Sequence, residues 1–304
     1  MNESVLNTTQ LTKLYGGQVV VDHIDMTIKR GDIYGFIGKN GAGKTTLLRM
    51  LTSLVRPSSG AIELFGSSDK QALQGARTRI GAMIETPAFF PKLTAWDNLE
   101  YYRIQRDIPD TGEVDRILYS VNLTDTGRKP YHQFSLGMKQ RLGLALAIMG
   151  SPEFLILDEP INGLDPTGMV EFRGIIHRLQ RESNITLLIS SHILSELAQV
   201  ATKYGIIHNG RLLKEFTQIE LDQQTRGYIS VRVSNAPMAG CIIQEEFDTN
   251  QFEVCSQEEI RLFTFFDDPS VVIELLSANG LRVYSANEVK VNLEDYFISV
   301  IEAA

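Results

Sequence analysis

Gly38-Lys39-Asn40-Gly41-Ala42-Gly43-Lys44-Thr45 follows a short apolar run, Ile33 to Ile37, and opens a helical pattern, Thr45 to Leu54. A Gly-x-x-x-x-Gly-Lys-Thr turn set between a strand and a helix is a phosphate-binding loop. Its glycines let backbone N–H groups close around phosphate oxygens, and the helix N-terminus adds partial positive charge. On this reading Gly38, Lys39, Asn40, Gly41, Ala42, Gly43, Lys44, Thr45 and Thr46 cradle a nucleotide. Lys44 reaches the β- and γ-phosphates, and the Thr45 hydroxyl ligates Mg²⁺. Outside the strand and helix context the same residues would be a glycine-rich turn.

Working outward, Val19 to Ile28 reads as a strand, and Pro57-Ser-Ser-Gly60 breaks the chain before another, Ala61 to Phe65. From Thr86 to Gly150 the pattern is mainly helical, clearest at Leu99 to Arg106, Val114 to Val121 and Gly137 to Met149. Phe154 to Leu157 and Ile185 to Ser190 are short apolar runs, the mark of strands covered on both faces, with a helix from Val170 to Arg181 between them. The first of these runs ends in Asp158-Glu159-Pro160, so two carboxylates emerge where parallel strands commonly hold ligands. Asp158 then serves Mg²⁺, and Glu159 polarises the water that attacks the γ-phosphate. Taken alone, an Asp-Glu pair after a strand would read as a helix cap.

Phe134-Ser-Leu-Gly-Met-Lys-Gln-Arg141, just upstream of that acidic strand end, resembles the signature of the ABC family of P-loop ATPases. Tyr15, Gly163-Leu-Asp165 and His192 fall in that family's order as the adenine-stacking residue, the D-loop and the switch histidine. The resemblance covers roughly Val5 to Phe216. It implies an α/β P-loop NTPase cassette: a RecA-like mixed sheet, an antiparallel β subdomain and a helical subdomain at about 86–150, spanning 1–216. It also implies that Ser135 and the helix start near Gly137 meet the γ-phosphate of ATP held by a second subunit in a homodimeric sandwich, and that Asp165 binds nucleotide. Glu159, His192 and Lys44 would be catalytic, in an ATPase coupled to an integral-membrane transporter subunit.

Three positions depart from the common family pattern. Leu136 and Met138 replace a glycine and a glutamine, in a version similar to that of bacterial exporters of drugs and peptide antibiotics. Glu85, within Ile80-Gly-Ala-Met-Ile-Glu-Thr-Pro-Ala-Phe-Phe90, stands where most members carry glutamine, as in bacitracin-export and lantibiotic-immunity subunits. An extra carboxylate beside Asp158 and Glu159 is expected to join Thr45 and Asp158 at the metal while repelling its acidic neighbours. Phe89, Phe90 and Trp96 follow at the place where family members receive a cytoplasmic helix of the membrane subunit. They read either as anchors for it or as core of the helical subdomain.

Beyond the Asn209-Gly210 turn the character changes. Residues 217–304 read as a small α+β domain with alternating strands around Ile229 to Val233, Phe252 to Val254 and Leu262 to Phe266. Helices follow from Pro269 to Ala278 and from an Asn292/Asp295 cap through Ile301. No catalytic constellation occurs there; a dimer contact, a regulatory brace or a stabilising cap are the open readings. The net charge of −8 argues against nucleic acid as a partner. Cys241 and Cys255 lack metal-ligand spacing and read as buried or idle thiols. With no leader pattern and no membrane-length apolar run, the expected place is the cytoplasm, peripheral on the inner membrane face through a partner. The competing readings are an ABC ATPase acting on ribosomes or DNA, and a scaffold that binds ATP without hydrolysing it. The stretch between Lys44 and Ser135 is too short for the long coiled-coil arm that the ribosomal reading calls for.

Overall fold

The computed structural model describes residues 3–85, 88–264, 269–289 and 292–303. The chain divides into two compact units, one running to Gln218 with the chain end from Val300, the other spanning Ile219–Ser299.

In the first unit, β1 (Ser4–Tyr15) and β2 (Gln18–Lys29) form a long hairpin. Then come β3 (Ile33–Ile37), α1 (Lys44–Leu51), β4 (Ser59–Leu64), α2 (Lys70–Arg77) and β5 (Ile80–Met83). The helical stretch contains α3 (Ala95–Gln105), α4 (Glu113–Ser120) and α5 (Leu136–Ile148). The chain returns through β6 (Phe154–Asp158), α6 (Pro166–Ser183), β7 (Thr186–Ser191), α7 (Leu194–Leu197), β8 (Lys203–His208) and β9 (Arg211–Thr217). The main sheet has the order β5-β6-β7-β3-β8-β9 and is parallel except for β9, which closes antiparallel on β8. A second, antiparallel sheet has the order β2-β1-β4.

The burial pattern explains this layering. Every residue of β3 and of β7 is buried, as a parallel strand covered on both faces requires. Leu47, Leu48, Met50 and Leu51 of α1 join Phe36, Phe154 and Leu188 from the main sheet and Ile24, Met26 and Ile62 from the antiparallel one in a single core. Each such side chain contributes roughly 1.5–3 kcal/mol on burial. The helices begin where short polar side chains cap them: Thr94 and Asp97 form a reciprocal capping box on α3, and Asp165 with Pro166 opens α6.

The second unit starts with α8 (Gln218–Gln224) at its boundary. It continues through β10 (Tyr228–Val233), α9 (Ala236–Phe247), β11 (Phe252–Val254), β12 (Glu259–Leu262), α10 (Ser270–Ala278) and β13 (Val283–Val289). Its strands lie in the order β11-β12-β10-β13, all antiparallel, which is the ferredoxin-like β-α-β-β-α-β arrangement. Ile229, Val231, Val233, Ile260 and Leu262 from one face of the sheet pack with Ala239 and Ile243 of α9 and with Val272 and Leu276 of α10. The final helix, α11 (Leu293–Glu302), begins after Asn292, whose Oδ1 accepts the Glu294 N–H at 3.1 Å.

Several expectations are corrected. β1, α2 and α9 were not read from the sequence. The strand expected at Leu262 to Phe266 is instead Glu259–Leu262, and Phe265 and Phe266 lie outside the described residues. Of the two readings of the cysteines, buried or idle, the buried one falls: Cys241 and Cys255 are exposed and free. Of the aromatic trio, Phe89 is core at 8% exposure, whereas Phe90 and Trp96 are 43% and 40% exposed.

Candidate functional site

The loop after β3 turns on glycines that no other residue replaces easily. Gly43 caps α1 with φ 105°, and a Cβ there would lie 2.7 Å from the Val20 carbonyl oxygen. The turn is braced from behind by the Asn209-Gly210 hairpin, both of whose residues have positive φ as a two-residue hairpin turn demands. The Gly210 N–H donates to Ala42 O at 3.0 Å, and the Asp22 N–H donates to Gly210 O at 2.8 Å. Val20, Asn40 to Thr46 and Glu159 line a cavity of about 230 Å³ over this loop.

Adjacent strand ends deliver the acidic and basic groups to the loop. β6 ends on Asp158, whose Oδ2 accepts the Thr45 hydroxyl at 2.7 Å. The next residue, Glu159, adopts a left-handed backbone with φ 48°, unusual for a side chain other than Asn, Asp or Gly. Its carboxylate lies between two partners: Oε1 is 3.1 Å from Lys44 Nζ and Oε2 is 2.7 Å from His192 Nδ1. Oε1 is buried and makes no well-directed hydrogen bond. Lys44 is itself buried, and its ammonium donates to Gly38 O at 2.5 Å. His192 follows β7, so three neighbouring strands of the main sheet, β3, β6 and β7, supply the site from their carboxyl ends.

Lys44, Thr45, Asp158, Glu159 and His192 are therefore gathered at one place. Of the candidates outside the loop, Tyr15, Ser135, Gly137, Asp165 and Glu85 do not line its cavity. Tyr15 ends β1, 47% exposed, with Lys13 Nζ 4.8 Å from its ring centre. Ser135 caps α5, its hydroxyl accepting the Met138 N–H at 3.2 Å, and Gly137 sits in that helix's first turn. Asp165 caps α6, accepting the Gly168 N–H at 3.2 Å. Glu85 pairs with the Arg49 guanidinium, on α1 one turn beyond Thr45, and its side chain is 64% exposed. The Thr45–Asp158 pair is made without it, because an arginine on the facing helix offers the carboxylate a better partner than two other acids.

Among the described residues no cluster of three or more His, Cys, Asp and Glu forms a metal cage. The Thr45 hydroxyl beside the Asp158 carboxylate is instead the sparse, all-oxygen donor set that suits Mg²⁺, which fills its remaining positions with water and phosphate oxygens. The residues present fit that ion. One contributor escaped the sequence reading: Ser190, a buried hydroxyl bonded to both Asp158 and Glu159. No local signal singles it out, because β7 also carries Thr186 and Ser191 and the partners of Ser190 lie at the end of β6.

Comparison with known proteins matches the ABC transporter family model to residues 21–162. The chain is 43% identical, over 98% of its length and 97% of the relative's, to a bacitracin transport ATP-binding protein of Bacillus licheniformis. The chain belongs to the ABC transporter family. A lantibiotic transport ATP-binding protein of Streptococcus pyogenes is 39% identical, over 69% of this chain and 90% of its own. Among solved structures, part of the ABC transporter complex cbiONQ of Clostridium perfringens superposes with a TM-score of 0.67 at 26% identity, covering 73% of this chain and 92% of that one. This ABC chain is thus an ATP-binding subunit of the kind that hydrolyses ATP to power transport. Among its described residues no helix is long and apolar enough to cross a membrane.

Proposed function

We propose that this subunit powers export of an antibiotic or antimicrobial peptide of the bacitracin or lantibiotic class through a separate integral-membrane subunit, working as a homodimer that closes over ATP. The observation that carries the substrate class is the likeness to a bacitracin transport protein along 98% of the chain, which takes in the C-terminal unit as well as the cassette. The unit at Ile219–Ser299 has the fold of a small independent domain, and we assign it a bracing or dimer-holding part in the same machine.

The gathered residues account for hydrolysis. The loop N–H groups and Lys44 bind and orient the phosphates. Glu159 accepts a proton from the attacking water as its oxygen bonds to the γ-phosphorus, and the bond to the β-bridging oxygen breaks, leaving ADP and phosphate. His192 orients the Glu159 carboxylate from the opposite side, at 2.7 Å. Mg²⁺ bound with ATP, held by Thr45 and Asp158, would neutralise charge on the phosphate oxygens. Ser135 and the helix start at Gly137 would meet nucleotide on a second copy, the anion-binding property of a helix N-terminus serving a partner's phosphate, and Asp165 would bind nucleotide from the start of α6. Tyr15 would stack on adenine.

The test is protection. The chain and its membrane subunit are expressed in a sensitive host, which is then challenged with bacitracin, with a lantibiotic and with an unrelated hydrophobic drug. Raised tolerance to one of the first two, lost in a Glu159→Gln variant, supports the reading. Tolerance to neither, with ATPase activity intact, overturns the substrate class.

A further inference from the structure

Ser190 is the penultimate residue of β7 and stands opposite Asp158 in the β6–β7 register. It is fully buried. Its Oγ donates to Asp158 Oδ1 at 2.6 Å and accepts the Glu159 N–H at 2.9 Å. A hydroxyl carries one proton and two acceptor sites, so the two bonds do not compete. Alternation along the strand sends the next side chain, Ser191, to the other face, where its Oγ accepts the Ile193 N–H at 3.0 Å. The Ser191 hydroxyl also reaches Glu196 Oε2, at 3.4 Å, so of this serine pair only Ser190 touches Asp158 and Glu159.

The two bonds restrict different things. With Oδ1 tied to Ser190, the other Asp158 oxygen is turned to Thr45, at 2.7 Å, the side assigned to the metal. With its N–H tied to Ser190 Oγ, Glu159 is held in a left-handed backbone conformation, φ 48°, that a glutamate rarely adopts where nothing enforces it. That conformation carries the Glu159 side chain to its place between Lys44 and His192.

We propose that Ser190 is a positioning residue for ATP hydrolysis, one hydroxyl that sets both the metal-facing oxygen of Asp158 and the backbone of the water-activating Glu159. The inference rests on the roles given above to Asp158 and Glu159. A Ser190→Ala change removes both bonds while leaving the strand pairing intact, and Ser190→Cys keeps the side-chain volume with a far weaker donor.

The experiment measures both variants beside wild type and Glu159→Gln in the full chain. Metal affinity is read by Mn²⁺ paramagnetic resonance with a non-hydrolysable ATP analogue, nucleotide affinity with the same analogue in excess chelator, and steady-state ATPase activity in parallel. We expect metal-free nucleotide affinity and Tm within the range of wild type, Mn²⁺ affinity lower by about tenfold, and kcat lower by roughly tenfold to a hundredfold, the worth of a hydrogen bond to a charged group. Wild-type Mn²⁺ affinity and kcat in both serine variants would overturn the proposal. So would a loss of metal-free nucleotide binding equal to the loss of metal affinity, which marks Ser190 as packing only. If Glu159→Gln itself hydrolyses ATP at the wild-type rate, the underlying reading of the site fails instead, a result distinct from either of these.

Discussion

His192 Nδ1 lies 2.7 Å from Glu159 Oε2, while the other oxygen of the same carboxylate lies 3.1 Å from Lys44 Nζ. The carboxylate is oriented from two sides, as a base that must face one water requires. Glu159→Gln keeps the shape and removes the basic oxygen, so kcat should fall by about 10²- to 10⁴-fold with ATP binding retained. Light scattering of the variant with ATP should show dimers that the hydrolysing wild type does not accumulate. Wild-type turnover in Glu159→Gln would remove Glu159 from the mechanism.

The contact between Glu85 and Arg49 changes what its extra carboxylate does. Paired to a guanidinium and 64% exposed, it adds little negative field at Thr45 and Asp158. The Mg²⁺ dependence of ATPase activity should therefore coincide for wild type and Glu85→Gln. Their stabilities should differ by less than about 1 kcal/mol, the usual worth of an exposed pair. A shifted Mg²⁺ midpoint in the variant would show that Glu85 reaches the metal during turnover.

Glu153 anchors the start of β6 with an acid-labile contact. The Arg79 guanidinium, at 2.5 and 2.8 Å, and then Arg30, at 3.0 Å, hold its carboxyl down at about 2 from an ordinary 4.5. Because the folded pKa is the lower one, the contribution is complete above about 4.5 and is lost as pH falls towards 2. Solvent screens the pair, since Glu153 is 39% and Arg79 38% exposed, so the effect is modest. Chemical denaturation of wild type and Glu153→Gln should give curves separated near neutrality that converge as pH falls below 4.5. A constant separation down to pH 3 would contradict this.

The aromatic residues after Glu85 divide by exposure. Phe89 packs on Tyr102 and Tyr131, with ring centres at 6.0 and 5.1 Å, and Phe89→Ala should cost about 3–5 kcal/mol in stability. Phe90 and Trp96 keep 43% and 40% of their surface in solvent. Phe90→Ala and Trp96→Ala should leave Tm within a few degrees of wild type while reducing co-purification with the membrane subunit. Retained co-purification in the double variant would leave these two side chains without a part in docking.

The nucleotide loop and the acidic strand end were legible because both are dense, local motifs whose chemistry forces their spacing. What the sequence hid was hidden by interruptions of period. In β1 the alternation breaks between Thr8 and Leu11, where the register shifts and Gln10 takes a positive φ of 48°, so the two halves present opposite phases. In α9, Pro237 and Gly240 read as breakers. Yet the proline sits in the first turn, where no N–H is missed, and the glycine admits the Phe252 ring, 2.9 Å from where a Cβ would stand. The role of Ser190 depends on which strand lies beside β7, and Glu85 on which helix faces it, facts of tertiary pairing that no local pattern carries.

The strand that launches the nucleotide loop is sandwiched in the sheet by β7 and β8, which begin at Thr186 and Lys203. During synthesis, Ile33-Tyr-Gly-Phe-Ile37 leaves the ribosome long before either neighbour exists, an apolar ribbon with both hydrogen-bonding edges bare. A strand written early in the chain is thus among the last to be closed. A nascent chain halted short of β7 would display its nucleotide motif on a strand with neither neighbour to hold it.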